Sequence, residues 1–239
     1  MTVRALCLCM LAVLASCSSP PSLHQGTAVA EEALRAGSPT IALQVAQGIL
    51  AQTPDDVSAL LIQGDAAAQL GKSSEAATAF TQALHLKSNS VRAKLGLGRL
   101  RLSTDANEAA ALFEDVVKQE PRNLNALNNL GVARDLLGQH RQAQEAYKQV
   151  HAIDPANAGG TVNMALSLAM SGNAADGATL IAPLATAGSA SPQLRHDYAV
   201  VLAMAGRETE AGQILARDLA PEQVKQVLDT LRQQRSDGS

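Results

Sequence analysis

The chain has 239 residues, of which 46% are hydrophobic but only 2% are aromatic, and its formal net charge is −3 at pH 7. The sequence pI near 5.9 argues against nucleic-acid binding, for which a basic surface and a domain pI above about 9 are typical. So few aromatic residues indicate a core of Ala and Leu in thin layers rather than one bulky centre.

The N-terminus carries the first recognisable pattern. Arg4 precedes an apolar run over residues 6–15, which indicates a secretory signal too short to span a bilayer as a mature helix. The residues that follow, Leu14-Ala15-Ser16-Cys17, resemble the lipobox of bacterial lipoprotein signals, whose cysteine becomes the lipidated N-terminus. Residues 1–16 are therefore predicted to be a signal peptide. Cleavage nearby by the ordinary signal peptidase is the alternative.

The cysteine pattern supports lipidation of Cys17. Cys7 and Cys9 would leave with the signal peptide, so Cys17 would be the only cysteine of the mature chain, without an internal disulfide. A diacylglycerol on its thiol and an amide-linked chain such as palmitate would bury many CH₂ groups at about 0.8 kcal/mol each, enough for stable attachment. Ser18 is not the aspartate of the enterobacterial retention pattern, so we expect the periplasmic face of the outer membrane. Residues 17–22 are predicted to be a tether.

From residue 23 onwards the chain repeats with a period of 34 residues. Glycines recur on this grid, which loses one residue between the second and the third of them: Gly37, Gly71, Gly138, Gly172 and Gly206. Glycine readily adopts the left-handed conformation that ends a helix, and Pro54, Pro121 and Pro155 follow predicted second helices that proline cannot continue. The pattern predicts six helix-turn-helix units: 23–56, 57–90, 91–123, 124–157, 158–191 and 192–220.

Side-chain size follows the same register. When the residue missing from unit three is counted, aromatic residues fall at position 24 of three units: Phe80, Phe113 and Tyr147. Glycines fall at position eight of the first helices of the same units: Gly64, Gly98 and Gly131. We expect the rings to be core residues and the glycines to lie at close helix contacts. Where the grid loses a residue, Asp105 replaces the turn glycine, which predicts a shortened turn.

These repeats resemble those of tetratricopeptide repeat (TPR) proteins. The fourth unit carries the family's signature residues most fully: Leu127, Leu130, Gly131, Ala143, Tyr147 and Pro155. The resemblance covers residues 23–220 and implies an all-α fold, a TPR solenoid. Residues 221–235 have apolar side chains at helical spacing and are predicted to form a C-terminal capping helix. Residues 236–239 are predicted to be a disordered tail.

The sequence contains no pattern typical of catalysis or metal binding. It lacks a Gly-rich phosphate loop, His-Glu-x-x-His and Gly-x-Ser-x-Gly, and the predicted mature chain lacks Cys-x-x-Cys. The five histidines fall at different repeat positions without ligand spacing. We therefore expect no enzyme activity, no metal and no cofactor besides the covalent lipid. An unrecognised catalytic site among the repeats is the alternative.

The TPR resemblance also implies where a protein partner would bind. In this family, positions two, five, nine and twelve of each first helix face a concave groove. In units three to five the candidate groove residues are Arg92, Leu95, Arg99, Asn125, Asn128, Val132, Asp135, Val162 and Leu166. An apolar floor dotted with Arg and Asn suits an extended segment or an amphipathic helix. Solubility of an exposed face is the alternative explanation of Arg92 and Arg99.

The end of the array carries a narrower resemblance. Residues 194–207 and 216–219 are similar to the last part of the TadD family of tight-adherence (Flp) pilus assembly lipoproteins. This resemblance implies a pilotin-like protein that helps assemble or localise the pilus secretin. The alternative is a TPR lipoprotein that recruits enzymes of cell-wall synthesis or hydrolysis. The sequence does not separate the two, because each needs only a tethered binding surface, and the oligomeric state stays open.

Overall fold

The computed structural model describes residues 23–237, which form thirteen α-helices and no strand. The predicted signal peptide 1–16, the predicted lipidation site Cys17 and the predicted tether 17–22 lie outside the described residues. In chain order the helices are α1 (Leu23–Arg35), α2 (Pro39–Leu50), α3 (Val57–Gln69), α4 (Ser73–Leu86), α5 (Val91–Arg101), α6 (Ala106–Gln119), α7 (Leu124–Leu136), α8 (His140–Ile153), α9 (Ala158–Met170), α10 (Ala174–Thr186), α11 (Pro192–Met204), α12 (Glu208–Leu215) and α13 (Pro221–Asp237). The predicted all-α TPR-like solenoid is confirmed.

The helices stack as six successive pairs, α1–α2 to α11–α12. The two helices of each pair pack together, and each second helix also packs on the first helix of the next pair. First helices of neighbouring pairs come within 8 Å of each other, Cα to Cα, whereas second helices do not anywhere in residues 23–237. The first helices therefore form the inner, concave side of the stack, and the second helices form the convex side.

Left-handed glycines end five of the six first helices. Their φ angles lie between 69° and 88°: Gly37, Gly71, Gly138, Gly172 and Gly206. The left-handed turns predicted from the glycine grid are thus confirmed. The exception follows α5, and there the predicted shortened turn is wrong. Residues 102–105 form a four-residue turn, whereas three residues follow each of the other first helices, and it is α5 itself that is shorter, with 11 residues instead of 13. Asp105 takes the place of the glycine in this turn. Asp105 has a φ of −152°, and its carboxylate accepts a hydrogen bond from the Glu108 amide at 2.9 Å, so it caps α6.

A side-chain cap starts five of the first helices. The residue before each of α3, α5, α7, α9 and α11 provides it: Asp56, Ser90, Asn123, Asn157 and Ser191. Each side-chain oxygen accepts a hydrogen bond of 2.8 to 3.4 Å from the amide three residues later. Such a cap typically contributes about 1 kcal/mol. The start of a first helix is therefore encoded locally in every unit from the second to the sixth.

Aromatic rings pack directly on glycines between the helices. Phe80 of α4 lies against Gly64 of α3 and Gly96 of α5, so closely that a Cβ on either glycine would overlap the ring. The same pairing recurs in the next two units: Phe113 with Gly98, and Tyr147 with Gly131. All three rings are buried, as the register predicts. A core with few aromatics is thus filled by placing each ring where the facing helix has no side chain.

The C-terminal end of the stack is covered by α13. This helix packs on α11 and α12. Its half-buried apolar residues pack against the C-terminal core cluster, which is formed by buried residues of α9 to α12: Val224, Val227, Leu228 and Leu231. The predicted start of a disordered tail at residue 236 is wrong, because α13 continues to Asp237. The helix continues this far because no glycine or proline, which would end it, follows Pro221 before Gly238. Within residues 23–237, no helix combines the length and hydropathy needed to cross a bilayer.

Candidate partner-binding groove

The concave face opens into a polar recess of about 570 Å³ on the first three units. Side chains at positions two, nine, twelve and thirteen line it: Glu31, Leu34, Arg35, Asp65, Ala68, Gln69, Arg92 and Arg99. Three guanidinium groups and two carboxylates among these residues give the recess a formal charge of +1. This half of the groove is therefore polar and slightly cationic.

Arg92, predicted to contact a partner, binds two carboxylates of its own chain. Its Nε donates to Asp65 Oδ2 and its Nη1 donates to Glu31 Oε1, each over 2.5 Å. Burial disfavours the charged guanidinium, but the hydrogen bond to Glu31 and the charge and hydrogen bond of Asp65 outweigh it and raise the pKa of Arg92. Arg92 therefore ties units one, two and three together and is not a free group.

Two other polar candidates remain open to a ligand. The Arg99 side chain is exposed at the recess, and no hydrogen-bond or ion-pair partner for it occurs within residues 23–237. Asn125 of α7 is also exposed. Asn128 is half-buried, and its side-chain oxygen accepts a hydrogen bond from Asn163 Nδ2 at 3.0 Å, so it links α7 to α9.

Two predicted groove residues belong to the interior instead. Leu95 is only 9% exposed and lies in a core cluster with Phe113 and Leu130. The side chain of Asp135 is 8% exposed. Neither offers its side chain to the open groove, because neighbouring helices close over these positions.

Asp135 is the centre of a polar cluster between units four and five. Its carboxylate accepts hydrogen bonds from Tyr147 Oη at 3.0 Å and Ser167 Oγ at 2.7 Å, and lies 2.8 Å from His140 Nδ1. Burial, with the charge of Asp135, raises the pKa of Tyr147 well above its ordinary value. Ser167 bonds the carboxylate rather than the imidazole ring, unlike a nucleophile with its base. Within residues 23–237, no three His, Cys, Asp or Glu side chains are arranged to hold a metal ion.

The apolar part of the groove lies on units four to six. Val132, Val162 and Leu166 are half-buried, and the last two pack against the C-terminal core cluster. A more exposed set, not predicted from the sequence, lies at position thirteen of the same units: Leu136, Met170 and Met204. The repeat register could have identified these residues, since position thirteen lies one helical turn beyond position nine on the same face.

A smaller recess of about 240 Å³ lies on the convex side between α8 and α10. Its lining residues are Tyr147, Lys148, His151, Ala152, Gly160, Thr161, Met164 and Leu180. Gly160 and Thr161 stand where the preceding unit has Ala126 and Leu127. The smaller side chains leave the space that forms this recess.

Six stacked helix-turn-helix pairs with a concave face of first helices define a TPR scaffold. The chain belongs to the family described as the cytochrome c-type biogenesis protein H TPR domain, whose sequence pattern matches residues 41–160. No curated protein sequence matches the chain.

Solved structures resemble the fold at low sequence identity. A TPR protein from Parabacteroides merdae superposes with a TM-score of 0.69 and 14% identity, over 90% of this chain and 86% of that one. MamA from Desulfovibrio magneticus RS-1 gives 0.62 and 24%, over 67% and 92%. A thermophilic TPR protein from Thermus thermophilus gives 0.61 and 16%, over 76% and 99%. At these identities the likeness concerns the fold alone.

Proposed function

We propose that this protein is a non-catalytic adaptor that holds a segment of a partner protein on its concave face. The observation that carries the proposal is the groove itself. Exposed Arg99 and Asn125 and half-buried Val132 and Leu166 lie on α5, α7 and α9, neighbouring first helices that pack on one another. Such a groove suits an amphipathic helix or an extended segment.

We also propose that the adaptor acts from the periplasmic face of the outer membrane, attached through a lipid on Cys17. The supporting observations are the lipobox-like residues 14–17 after an apolar run and the single cysteine left after cleavage. Two or more acyl chains give stable attachment, whereas one myristoyl chain is marginal.

The partner we favour is a secretin subunit of a tight-adherence (Flp) pilus, which the protein would help assemble or localise as a pilotin does. Support comes from the similarity of residues 194–207 and 216–219 to the TadD family. These two segments lie together in the structure, because Arg195 donates to both carboxylate oxygens of Asp218, over 2.6 and 2.5 Å.

Two other partner classes would use the same groove. An enzyme of cell-wall synthesis or hydrolysis is the first, since recruitment of such an enzyme also needs only a tethered binding surface. A component of c-type cytochrome biogenesis is the second, and the family match over residues 41–160 favours it.

Deletion of the gene separates these three partner classes. Loss of secretin multimers and surface pili, with normal c-type cytochromes and normal muropeptides, is the result we expect. Loss of covalently bound haem instead would support cytochrome biogenesis, and altered muropeptides would support cell-wall enzymes. In either case the pilus assignment would be wrong.

A groove variant then tests the binding face. Arg99→Glu combined with Asn125→Ala should abolish complementation while the protein keeps its abundance and membrane fraction, because both side chains are exposed. Arg92 is left intact, since its loss would disturb the stack itself. Full complementation by this variant would show that the partner docks elsewhere.

A further inference from the structure

The concave face changes chemical character at its middle. Positions nine of units one to three hold Glu31, Asp65 and Arg99. In units four to six, positions nine and thirteen are all apolar: Val132, Leu136, Leu166, Met170, Val200 and Met204. Both positions face the groove, since their counterparts in units one and two line the polar recess. We call these six residues the apolar strip.

The apolar strip is open to solvent and crosses three adjoining helices. Leu136, Met170 and Met204 are 58%, 46% and 38% exposed, and the three position-nine residues beside them are half-buried. The strip runs across α7, α9 and α11, which pack side by side. Exposed apolar side chains gathered on one face mark an interaction site, and methionine side chains adapt readily to a partner's shape.

The curvature of the strip limits what can cover it. The strip lies on the concave side, so neither a flat bilayer nor the same concave face of a second copy can contact its centre. A rod-like partner can do so. Neighbouring helices lie about 8–10 Å apart, so three of them span roughly 20 Å, which is the length of about 13 residues of α-helix at 1.5 Å each.

Charge sets the orientation of such a rod. Arg99 is exposed on α5, and α5 packs against α7 at the start of the strip. Its guanidinium is unpaired within residues 23–237, and the recess that it lines is cationic by one charge. A helix whose end there carries acidic side chains would complement it, and the negative end of the helix dipole adds to the attraction.

We propose that the apolar strip and Arg99 together bind an amphipathic helix of a partner protein, with about three turns of apolar face and an acidic end directed toward unit three. This inference rests on the proposed adaptor function and names the chemistry of its partner.

Fluorescence anisotropy with the purified chain tests the proposal. The probe is a labelled amphipathic peptide of about 14 residues, with leucines at helical spacing and two glutamates in its last turn. A second peptide carries lysines in place of the glutamates, and a third has its leucines scrambled. We expect the first peptide to bind at least tenfold more tightly than either of the others, which corresponds to about 1.4 kcal/mol.

Matched variants assign the binding to the strip. The triple variant Leu136→Ser, Met170→Ser, Met204→Ser should weaken the first peptide tenfold or more. The control triple Ile41→Ser, Leu86→Ser, Leu180→Ser changes apolar residues of similar exposure (52%, 46% and 36%) on the convex helices and should leave affinity unchanged. Arg99→Glu should reverse the preference between the glutamate and lysine peptides.

Several results would overturn the inference. The first is that the strip variant binds the glutamate peptide as tightly as the wild type does. The second is that the control triple weakens binding of this peptide as much as the strip variant does. The third is that the wild type does not bind the peptide at millimolar concentration. A dimer in sedimentation that the strip variant dissolves would identify a second copy as the occupant. Normal pili and secretin multimers after gene deletion would refute the proposed partner but not the strip. An unchanged affinity of the strip variant for the glutamate peptide would refute the strip as the binding site but not the adaptor role.

Discussion

Replacing Gly131 with alanine should destabilise the stack, although alanine is the better helix former. Helix propensity favours alanine by roughly 0.5–1 kcal/mol, whereas overpacking a core typically costs about 1–3 kcal/mol. A Cβ at Gly131 would overlap the ring of Tyr147. That ring is only 2% exposed, and its hydroxyl is held by Asp135 at 3.0 Å, so it has little room to move. We therefore expect a net loss of about 1–2 kcal/mol.

Thermal unfolding followed by circular dichroism measures this effect. For a chain of this size, 1 kcal/mol shifts Tm by about 2–4 °C, so the variant should melt about 2–8 °C below the wild type. Gly48→Ala is the matched control, because Gly48 is an exposed glycine of α2 and an added Cβ would meet no atom within 4 Å. It should stabilise the protein by roughly 0.5–1 kcal/mol.

A double-mutant comparison identifies the ring as the cause. In a Tyr147→Val background the obstructing ring is gone, so Gly131→Ala should become neutral or stabilising. If the alanine still costs about 1 kcal/mol or more without the ring, or if Gly48→Ala is equally destabilising, the explanation by ring contact is wrong.

Three further predictions concern single side chains. Arg92→Gln should lower stability by about 1 kcal/mol in urea unfolding, because it removes half-exposed ion pairs to Glu31 and Asp65 that are each worth roughly 0.2–1 kcal/mol; an unchanged midpoint would contradict the cross-unit role. Since the folded-state pKa of Tyr147 is raised, its stability contribution is full below about pH 10 and declines above it, so Tyr147→Phe should flatten the alkaline unfolding curve; identical curves would count against this. Cys17→Ser should remove the protein from outer-membrane fractions, and an unmodified wild-type N-terminus in mass spectrometry would refute lipidation.

The repeat architecture could be predicted from the sequence because its signals are local. A glycine that ends a first helix and a side chain that caps a first helix act over three to five residues, and each of the two signals recurs in five of the six units. Gly138, for example, needs only its own left-handed φ of 70° to close the first helix of unit four. The aromatic positions followed from the same register, as Tyr147 on Gly131 shows.

Part of the candidate site could not be predicted because it depends on contacts between units. The place of Arg92 at position two of its unit predicted an accessible side chain. In the structure its guanidinium donates a hydrogen bond to the carboxylate of Glu31, 61 residues away in the chain. Position twelve predicted a groove role for Asp135, but Ser167 of the next unit donates to its carboxylate.

The sequence by itself determined where the repeat units begin, where five of the six first helices end, and which residue types recur at each repeat position. Only the tertiary structure decided which of those side chains stay free. Arg99 and Met170 remain exposed, whereas Leu95 is buried. The physical reason is that exposure and pairing are set by neighbouring helices, whose side chains come from residues a full repeat or more away in the chain.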